Sequence, residues 1–336
     1  MPVAGGDGLE KLEDMIVRTA ESTAAHVRAA KAAIGTVIFG QDKVVEQALI
    51  TILSGGHALL LGVPGLAKTK LVETLGIVLG LDARRIQFTP DLMPSDILGT
   101  EVLEESQTGK RTFRFISGPV FAQLLMADEI NRASPRTQSA LLQAMQEQHV
   151  TVAGTRHDLP KPFHVLATQN PLEQEGTYPL PEAQLDRFLM EIDVGYPDRD
   201  AERKILFETT GSEETRAKPA MTADELMAAQ RLVRRLPVGE SVVDAILALV
   251  RSARPGPEGG EAAKMIAWGP SPRASQALML AVRARALLDG RLAPSIDDVV
   301  DLAEPVLKHR MALTFTARAE GETIDAVVGR LKARIG

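Results

Sequence analysis

The sequence predicts an α/β fold, with a parallel sheet that carries helices on both faces, followed by a small all-helical lid domain. Apolar runs that resemble strands alternate with helical segments through the first 196 residues, and this alternation is typical of a parallel sheet. After residue 196 helical patterns follow one another. We therefore predict an α/β domain at 1–196 and a helical domain at 197–336.

Composition narrows the classes of function. The chain has 336 residues and no cysteine, which excludes disulfides, thiolate catalysis and cysteine-based zinc sites. Its net charge of −6 argues against a broad nucleic-acid interface. We find neither a leader of basic then apolar residues nor an uninterrupted membrane-spanning run, so we expect a cytoplasmic protein without a membrane span.

The elements of the first domain follow from apolar runs and their breaks. Helices are predicted at 9–34 and from Gly40-Gln41 to about Leu53, where Gly55-Gly56 ends the second one. The predicted sheet strands and the helices between them are listed here: strands 58–61, 85–88, 123–127, 163–168 and 188–194; helices 68–79 and 135–147. Ligands of such sheets bind at the carboxyl ends of the strands.

Two segments interrupt this alternation as predicted β-hairpins. Residues 89–119 contain a hairpin beside a helix, with a polar turn around Thr108-Gly109-Lys110, and residues 148–161 contain a shorter hairpin. Each is either a plain extension of the sheet or a loop that contacts a partner. The helices predicted for the second domain are 198–210, 222–236, 240–253, 271–289, 295–309 and 322–335, with loops at 211–215 and 254–260.

The most informative segment lies between the first strand and the next helix. It has the residues Gly62, Val63, Pro64, Gly65, Leu66, Ala67, Lys68 and Thr69. A loop of this kind aims backbone N–H groups and a helix N-terminus at one point, where Lys68 can contact phosphates and Thr69 can bind Mg²⁺. Ala67 replaces the last glycine of the usual pattern, which we expect to be tolerated if its φ angle stays negative. The alternative is an ordinary glycine-proline turn before a surface helix.

A second signal is a buried-strand pattern that ends in two carboxylates. Residues 123–127 are mostly apolar, and Asp128 and Glu129 follow them. Mg²⁺ bound to phosphate needs few hard oxygen ligands, and Asp128 can provide one. If the strand pleat continues, Glu129 faces the other way and can act as general base on a water molecule. The alternative is a solvated strand end.

Three further polar residues are candidates for the same site. Asn170 ends the next strand and could hold a water molecule, although an asparagine before proline is also common in turns. Arg187 could reach the γ-phosphate of a neighbouring subunit, or it could form a surface ion pair with Asp186 or Glu191. Arg273 lies near a predicted helix N-terminus, where a cation is unfavourable unless an anion is present; the alternative is simple solvent exposure.

Together these motifs resemble the MoxR family of AAA+ ATPases. The resemblance rests on G-V-P-G-L-A-K-T, L-L-M-A-D-E-I-N-R-A, L-A-T-Q-N-P, Q-L-D-R-F and G-P-S-P-R-A, and it extends from Gly40-Gln41 to the helical end of the chain. The resemblance implies a P-loop AAA+ core, an ATPase activity, and ATP and Mg²⁺ as ligands. It also implies a hexameric ring and chaperone-like remodelling of partners, often proteins with von Willebrand factor A domains.

The resemblance assigns a role to each candidate residue. Lys68 and Thr69 bind phosphate and Mg²⁺, while Asp128 and Glu129 form the Walker B pair. Asn170 becomes sensor 1, Arg187 the arginine finger and Arg273 sensor 2. Gly40 and Gln41 match the stretch that lines the adenine pocket, Arg132 becomes a further intersubunit contact, and both hairpins match insertions that face the ring pore.

Two other functions remain open from the sequence. One is a nucleic-acid motor of the related minichromosome-maintenance type, which has the same two hairpins, although the acidic balance opposes it. The other is a nucleotide-gated binding switch with little turnover, which the complete set of predicted hydrolysis residues opposes.

Overall fold

A computed structural model describes residues 6–105, 111–173, 175–211, 215–256 and 260–335. The turn predicted around Thr108-Gly109-Lys110 lies outside the described residues, as do 212–214 and 257–259 within the two predicted lid loops. None of the described helices is long and apolar enough to cross a membrane. The cytoplasmic location stays a prediction.

The strands, in chain order, are β1 (Ala58–Leu61), β2 (Ala83–Gln87), β3 (Gly99–Glu105), β4 (Arg111–Ser117), β5 (Leu124–Asp128), β6 (His149–Val152), β7 (Thr155–Asp158), β8 (His164–Gln169), β9 (Met190–Asp193), β10 (Ile266–Trp268) and β11 (Ala312–Leu313). The helices are α1 (Gly6–Gly35), α2 (Asp42–Leu53), α3 (Lys68–Val78), α4 (Pro94–Leu98), α5 (Pro135–Glu147), α6 (Glu182–Leu185), α7 (Arg199–Thr209), α8 (Ala223–Val233), α9 (Glu240–Ser252), α10 (Gly260–Lys264), α11 (Pro272–Leu288), α12 (Ile296–Leu307), α13 (Phe315–Ala319) and α14 (Ile324–Lys332).

The central sheet has the strand order β2-β5-β8-β1-β9, and each neighbouring pair is parallel. The predicted fold class is therefore confirmed, and the sheet strands begin within two residues of their predicted starts. The central strands β5 and β8 are almost fully buried, because helices cover both faces of a parallel sheet. Their carboxyl ends form one edge, which positions the residues that follow them.

Both predicted hairpins are present. Strands β3 and β4 pair antiparallel, as do β6 and β7. The two hairpins contact each other where the Phe115 ring stacks on the His157 ring, with 3.9 Å between the centroids. Phe113 of the first hairpin is 71% exposed, which leaves an apolar side chain on its surface.

The second half of the chain is mainly helical, as predicted. Helices α7, α8, α9, α11, α12 and α14 correspond to the six predicted helices, whereas α10, α13 and the small β10–β11 pair were not predicted. One continuous apolar core includes Leu49 of α2, Leu278 of α11 and Leu302 of α12. The lid helices thus pack directly on the amino-terminal helices, and the boundary at residue 196 stays a prediction.

Candidate functional site

The predicted phosphate loop joins β1 to α3 at the carboxyl edge of the sheet. Lys68 is the first residue of α3, so the N-terminus of this helix points its backbone N–H groups at the loop. The Lys68 ammonium donates to the Gly62 carbonyl and, at 3.4 Å, to the Val63 carbonyl. Burial lowers the pKa of Lys68, and the charges of Asp128 and Glu129 oppose this effect.

Ala67 corrects one expectation. Its φ angle is +55°, in the left-handed region, whereas we expected a negative φ for a residue with a methyl group. The residue ends the tight loop as the N-cap of α3, and its left-handed backbone conformation is one that glycine adopts more easily. The chain accepts a strain of roughly 1–2 kcal/mol there.

Asp128 is the last residue of β5, and its carboxylate is held by two neighbours. The Thr168 hydroxyl, on the adjacent strand β8, donates to Oδ1 at 2.5 Å. The Arg85 guanidinium, on β2, donates to Oδ2 from Nε at 3.1 Å and from Nη2 at 2.6 Å. Because both neighbours sit on strands paired with β5, the sheet register sets this carboxylate in place.

Glu129 does not continue the strand, which corrects the expectation that the pleat would turn it away. Its φ of +54° ends β5, and its backbone N–H donates to the Thr168 hydroxyl at 2.9 Å. The Gln87 side-chain amide donates to Glu129 Oε2 at 2.6 Å, and Arg132 Nε lies 3.5 Å from the same oxygen. The left-handed turn directs the carboxylate into the same cavity as Asp128.

Asn170 forms the turn that the sequence allowed, and its role in holding a water molecule stays a prediction. Its Oδ1 accepts from the Leu172 backbone N–H at 3.1 Å, as in an asparagine turn, and the residue also lines the cavity. Nearby, Arg132 forms an ion pair with Glu173 of its own chain. An intersubunit role for Arg132 stays a prediction, and it would require this pair to open.

One cavity of about 480 Å³ brings these predicted residues together. Its lining residues come from the phosphate loop, the start of α3 and the carboxyl ends of three strands: Pro64, Gly65, Leu66, Ala67, Lys68, Thr69, Lys70, Arg85, Gln87, Asp128, Glu129 and Asn170. A basic loop faces two carboxylates across this space. That arrangement suits a ligand with anionic phosphates and a divalent cation.

A second cavity of about 250 Å³ adjoins the first, since Lys70 lines both. Val37 and Phe39 supply its apolar wall, and residues of the C-terminal end of α7 lie opposite. Its size and its one apolar wall suit a flat base. Val37 and Phe39 lie just before Gly40 and Gln41 in the sequence, which we expected to line an adenine pocket.

Gly40 and Gln41 hold the loops rather than line this second cavity. Gly40 has a φ of +68°, and a Cβ atom there would lie 2.4 Å from Ala201 Cβ, so only glycine fits against α7. The Gln41 side-chain amide donates to the Leu66 carbonyl of the phosphate loop at 3.0 Å. Its Oε1 is buried without a hydrogen-bond partner in the described part of the chain.

The donor set fits Mg²⁺ held with a nucleotide. Asp128 and Thr69 offer a carboxylate and a hydroxyl, which are hard oxygen ligands, and Lys68 offers a cation for phosphate. Within the described part of the chain, no cluster of three or more histidine and acidic side chains suggests another metal centre.

Arg187 and Arg273 do not lie in the phosphate cavity of their own chain. They line a separate cavity of about 180 Å³ together with Asp186 and His57. His57 directly precedes β1 and the phosphate loop directly follows it, so the two cavities lie at opposite ends of that strand. A strand of this length separates them by roughly 13 Å.

The acidic residues near Arg187 are paired elsewhere. Asp186 accepts from Arg310 Nε at 2.6 Å, and Glu191 lies 3.5 Å from the ammonium of Lys308. Arg187 itself donates to the Leu142 carbonyl at 2.6 Å. The alternative of a surface ion pair between Arg187 and either acid is therefore wrong.

Arg310 ties the lid to the Arg187 segment. It is 2% exposed, and besides Asp186 Oδ1 it donates to a set of main-chain carbonyls. These belong to Asp186, Phe188, Leu189 and Val306. Such dense pairing compensates the cost of burying a guanidinium.

Sequence reasoning missed Arg85, Gln87 and Thr168. On β2, Ile86 is buried while Arg85 and Gln87 are exposed, so both polar side chains lie on one face of the strand. The alternation of polar and apolar residues at the carboxyl end of a predicted strand was the signal that could have indicated Arg85 and Gln87.

Comparisons with known proteins agree with the geometry. The family described as "ATPase family associated with various cellular activities (AAA)" matches residues 57–190, and the AAA lid domain matches residues 260–331. Chaperone MoxR1 of Mycobacterium tuberculosis is 44% identical over 317 residues, which cover 93% of this chain and 83% of that protein. Protein MoxR of Paracoccus denitrificans is 33% identical, covering 86% of this chain and 89% of that protein. The crystal structure of a candidate ATPase from Cytophaga hutchinsonii, 36% identical, superposes with a TM-score of 0.88 over 98% of this chain and 99% of that one.

Proposed function

Because the chain belongs to the MoxR family of AAA+ ATPases, we propose that it hydrolyses ATP and couples this turnover to chaperone-like remodelling or activation of partner proteins. The observation that carries the proposal is the convergence of Lys68, Asp128, Glu129 and Asn170 on one cavity beside a base-sized one. The relative from Mycobacterium tuberculosis is named a chaperone, and this supports the proposed remodelling of partner proteins.

Each residue contributes positioning or charge rather than covalent chemistry. The loop N–H groups and Lys68 would hold the β- and γ-phosphates, while Thr69 and Asp128 would hold Mg²⁺, which would neutralise phosphate charge. Glu129 accepts a proton from the attacking water, and the Asn170 amide orients that water. The Val37 and Phe39 wall of the second cavity suits the face of adenine.

Completion of the site requires a second subunit. Arg187 and Arg273 line a cavity at the amino end of β1, away from the phosphate loop of their own chain, and this supports an action on a neighbour's triphosphate. In this arrangement Arg273 of the lid contacts the nucleotide of a neighbouring subunit and not the nucleotide bound to its own subunit. A head-to-tail contact of this kind generates a ring when the rotation closes, which fits the hexamer that the family resemblance implies.

The partners that we propose are proteins with von Willebrand factor A domains. This part rests on the family resemblance alone. The exposed apolar residue Phe113, on strand β4, belongs to a hairpin that the same resemblance directs at the ring pore.

Nucleotide binding and turnover by three variants test the proposal. Glu129→Gln should bind ATP while its hydrolysis falls by about 10²–10⁴-fold, because only the general base is lost. Lys68→Ala should lose binding. Glu73→Gln, on the exposed face of α3, is the matched control and should behave as the wild type. Normal turnover by Glu129→Gln would contradict the assignment of Glu129, and absence of ATP binding by the wild type would contradict the function itself.

A further inference from the structure

Arg85 forms an ion pair with the Asp128 carboxylate, which the proposed function assigns as a ligand of Mg²⁺. Two of its guanidinium nitrogens, Nε and Nη2, donate to Asp128 Oδ2 at 3.1 and 2.6 Å. The Arg85 side chain is 50% exposed, whereas that of Asp128 is only 12% exposed. A guanidinium fork on a carboxylate is a strong, charge-assisted contact, so Asp128 has its negative charge compensated from within the chain.

The two donors to Asp128 differ in their freedom to leave. Thr168 is fully buried, and its hydroxyl also accepts from the Glu129 backbone N–H, so its position is fixed by the chain itself. Arg85 projects from the exposed face of β2 on a long side chain that lines the cavity. If a cation approaches Asp128, the guanidinium is the group that can give way.

We propose that Arg85 is the built-in counter-cation of Asp128, which it releases when Mg²⁺-nucleotide enters, so that Arg85 sets the Mg²⁺ concentration that the site requires. This inference rests on the proposed function. It adds to the nucleotide site a residue that competes with the metal for one carboxylate.

Release of Arg85 also affects Glu129 through a chain of contacts. Arg85 Nη2 donates to Gln87 Oε1 at 2.9 Å, and Gln87 Nε2 donates to Glu129 Oε2 at 2.6 Å. The Arg85 donor therefore orients the amide that holds the Glu129 carboxylate. When Arg85 moves away, Gln87 loses this anchor, and its amide holds the Glu129 carboxylate less rigidly.

Removal of Arg85 should strengthen the binding of Mg²⁺ and weaken the binding of nucleotide in the absence of Mg²⁺. Without the guanidinium, Mg²⁺ meets no competing cation at the Asp128 carboxylate, so it binds more readily. The cavity also becomes more negative, so an anionic nucleotide without Mg²⁺ binds more weakly.

Equilibrium binding of a fluorescent ADP analogue to the full chain tests this, first in a chelator and then across a Mg²⁺ series. For Arg85→Ala we expect the Mg²⁺ concentration at half-maximal effect to fall by about tenfold, the factor that corresponds to one charge-assisted hydrogen bond. Arg84→Ala is the matched control: it removes the same charge one residue away, where Arg84 pairs with Asp82 at 3.4 Å, and it should leave the midpoint unchanged.

Each outcome decides the proposal. An unchanged or raised midpoint in Arg85→Ala overturns it. Equal weakening with and without Mg²⁺ also overturns it, because Arg85 would then bind phosphate directly. If Arg85→Ala does not fold, as judged by circular dichroism, Arg85→Lys replaces it, and a downward shift of about threefold is expected since the fork is lost. A wild-type chain that binds no nucleotide would overturn the proposed function together with this inference, whereas an unshifted variant of a binding wild type overturns the inference alone.

Discussion

The Asp186 carboxylate accepts a hydrogen bond from the Ser271 hydroxyl at 3.0 Å. Asp186 directly precedes Arg187, and Ser271 caps the helix α11 whose first turn carries Arg273. The contact therefore joins the segments that carry the two arginines, although they are 85 residues apart in the chain.

Replacement of Ser271 by alanine should affect both stability and turnover. The change removes the helix cap, worth about 1 kcal/mol, and also the donor to Asp186, worth about 1 kcal/mol more. Thr323→Ala is the matched control, because it removes a cap of the same kind from α14, where Thr323 Oγ1 accepts from the Ala326 N–H at 3.2 Å. Urea unfolding measures the stabilities.

The ATPase rate separates positioning from stability in these two variants. Ser271→Ala should lower kcat by about tenfold, since small misplacements of charged groups are costly in catalysis. Thr323→Ala should leave kcat unchanged. Equal kcat losses in both would indicate a general effect of lid stability and not a positioning role for Ser271.

Mixing of inactive variants tests whether both arginines act on a neighbouring subunit. Arg187→Ala and Lys68→Ala should each be inactive alone, since an arginine finger is worth about 10³–10⁵ in rate. A mixture should recover activity, because a Lys68→Ala subunit offers intact arginines to the intact phosphate loop of its neighbour. With equal amounts, roughly a quarter of the interfaces are productive.

The informative control is a mixture of Arg187→Ala with Arg273→Ala. Because the two arginines line one cavity, each subunit then offers its neighbour only one of them, and activity should stay absent. Recovery in this second mixture would show that Arg273 serves the nucleotide of its own subunit.

Acid should destabilise the folded chain through two buried histidines. Burial lowers the pKa of His57 to about 3 and that of His164 to about 4. Both are neutral in the folded state, while the unfolded chain takes up protons below about pH 6.5. Stability is therefore lost as the pH falls from about 6.5 towards 4, by up to about 1.4 kcal/mol per pH unit for each histidine.

Urea unfolding at several pH values between 7.5 and 5 measures this slope. His164→Gln should reduce it, because one titrating group is removed from the site between the Gly56 carbonyl and Gln230. His26→Gln, which changes a half-exposed histidine 3.8 Å from Glu225, is the control. A free energy of unfolding that stays flat over this range would contradict the prediction.

The sequence indicates the parts of the site that depend on contiguous motifs. Lys68 and Asp128 were found because a strand followed by a loop, or by acids, defines local geometry over a few residues. Arg85 was missed because its contact with Asp128 depends on the pairing of β2 with β5 across 43 residues. No local periodicity specifies which strand becomes the neighbour.

Backbone conformation was also harder to predict than element type. Ala67 was expected at negative φ on steric grounds, but the closure of the loop onto α3 requires +55°. Likewise, the placement of Arg273 beside Arg187 depends on how the lid packs, which involves contacts such as Arg310 to Asp186 across 124 residues. Tertiary packing decided these features.

The buried guanidinium of Arg310 has a mechanical consequence. Its hydrogen bonds to Asp186 and to the Phe188 carbonyl fix the lid against the segment that carries Arg187. Breaking them would leave an unpaired charge buried in the protein interior, which is costly. The joint is consequently stiff and not a hinge. In the proposed ring, Arg187 and Arg273 would therefore approach or leave a neighbouring triphosphate together, as one rigid unit.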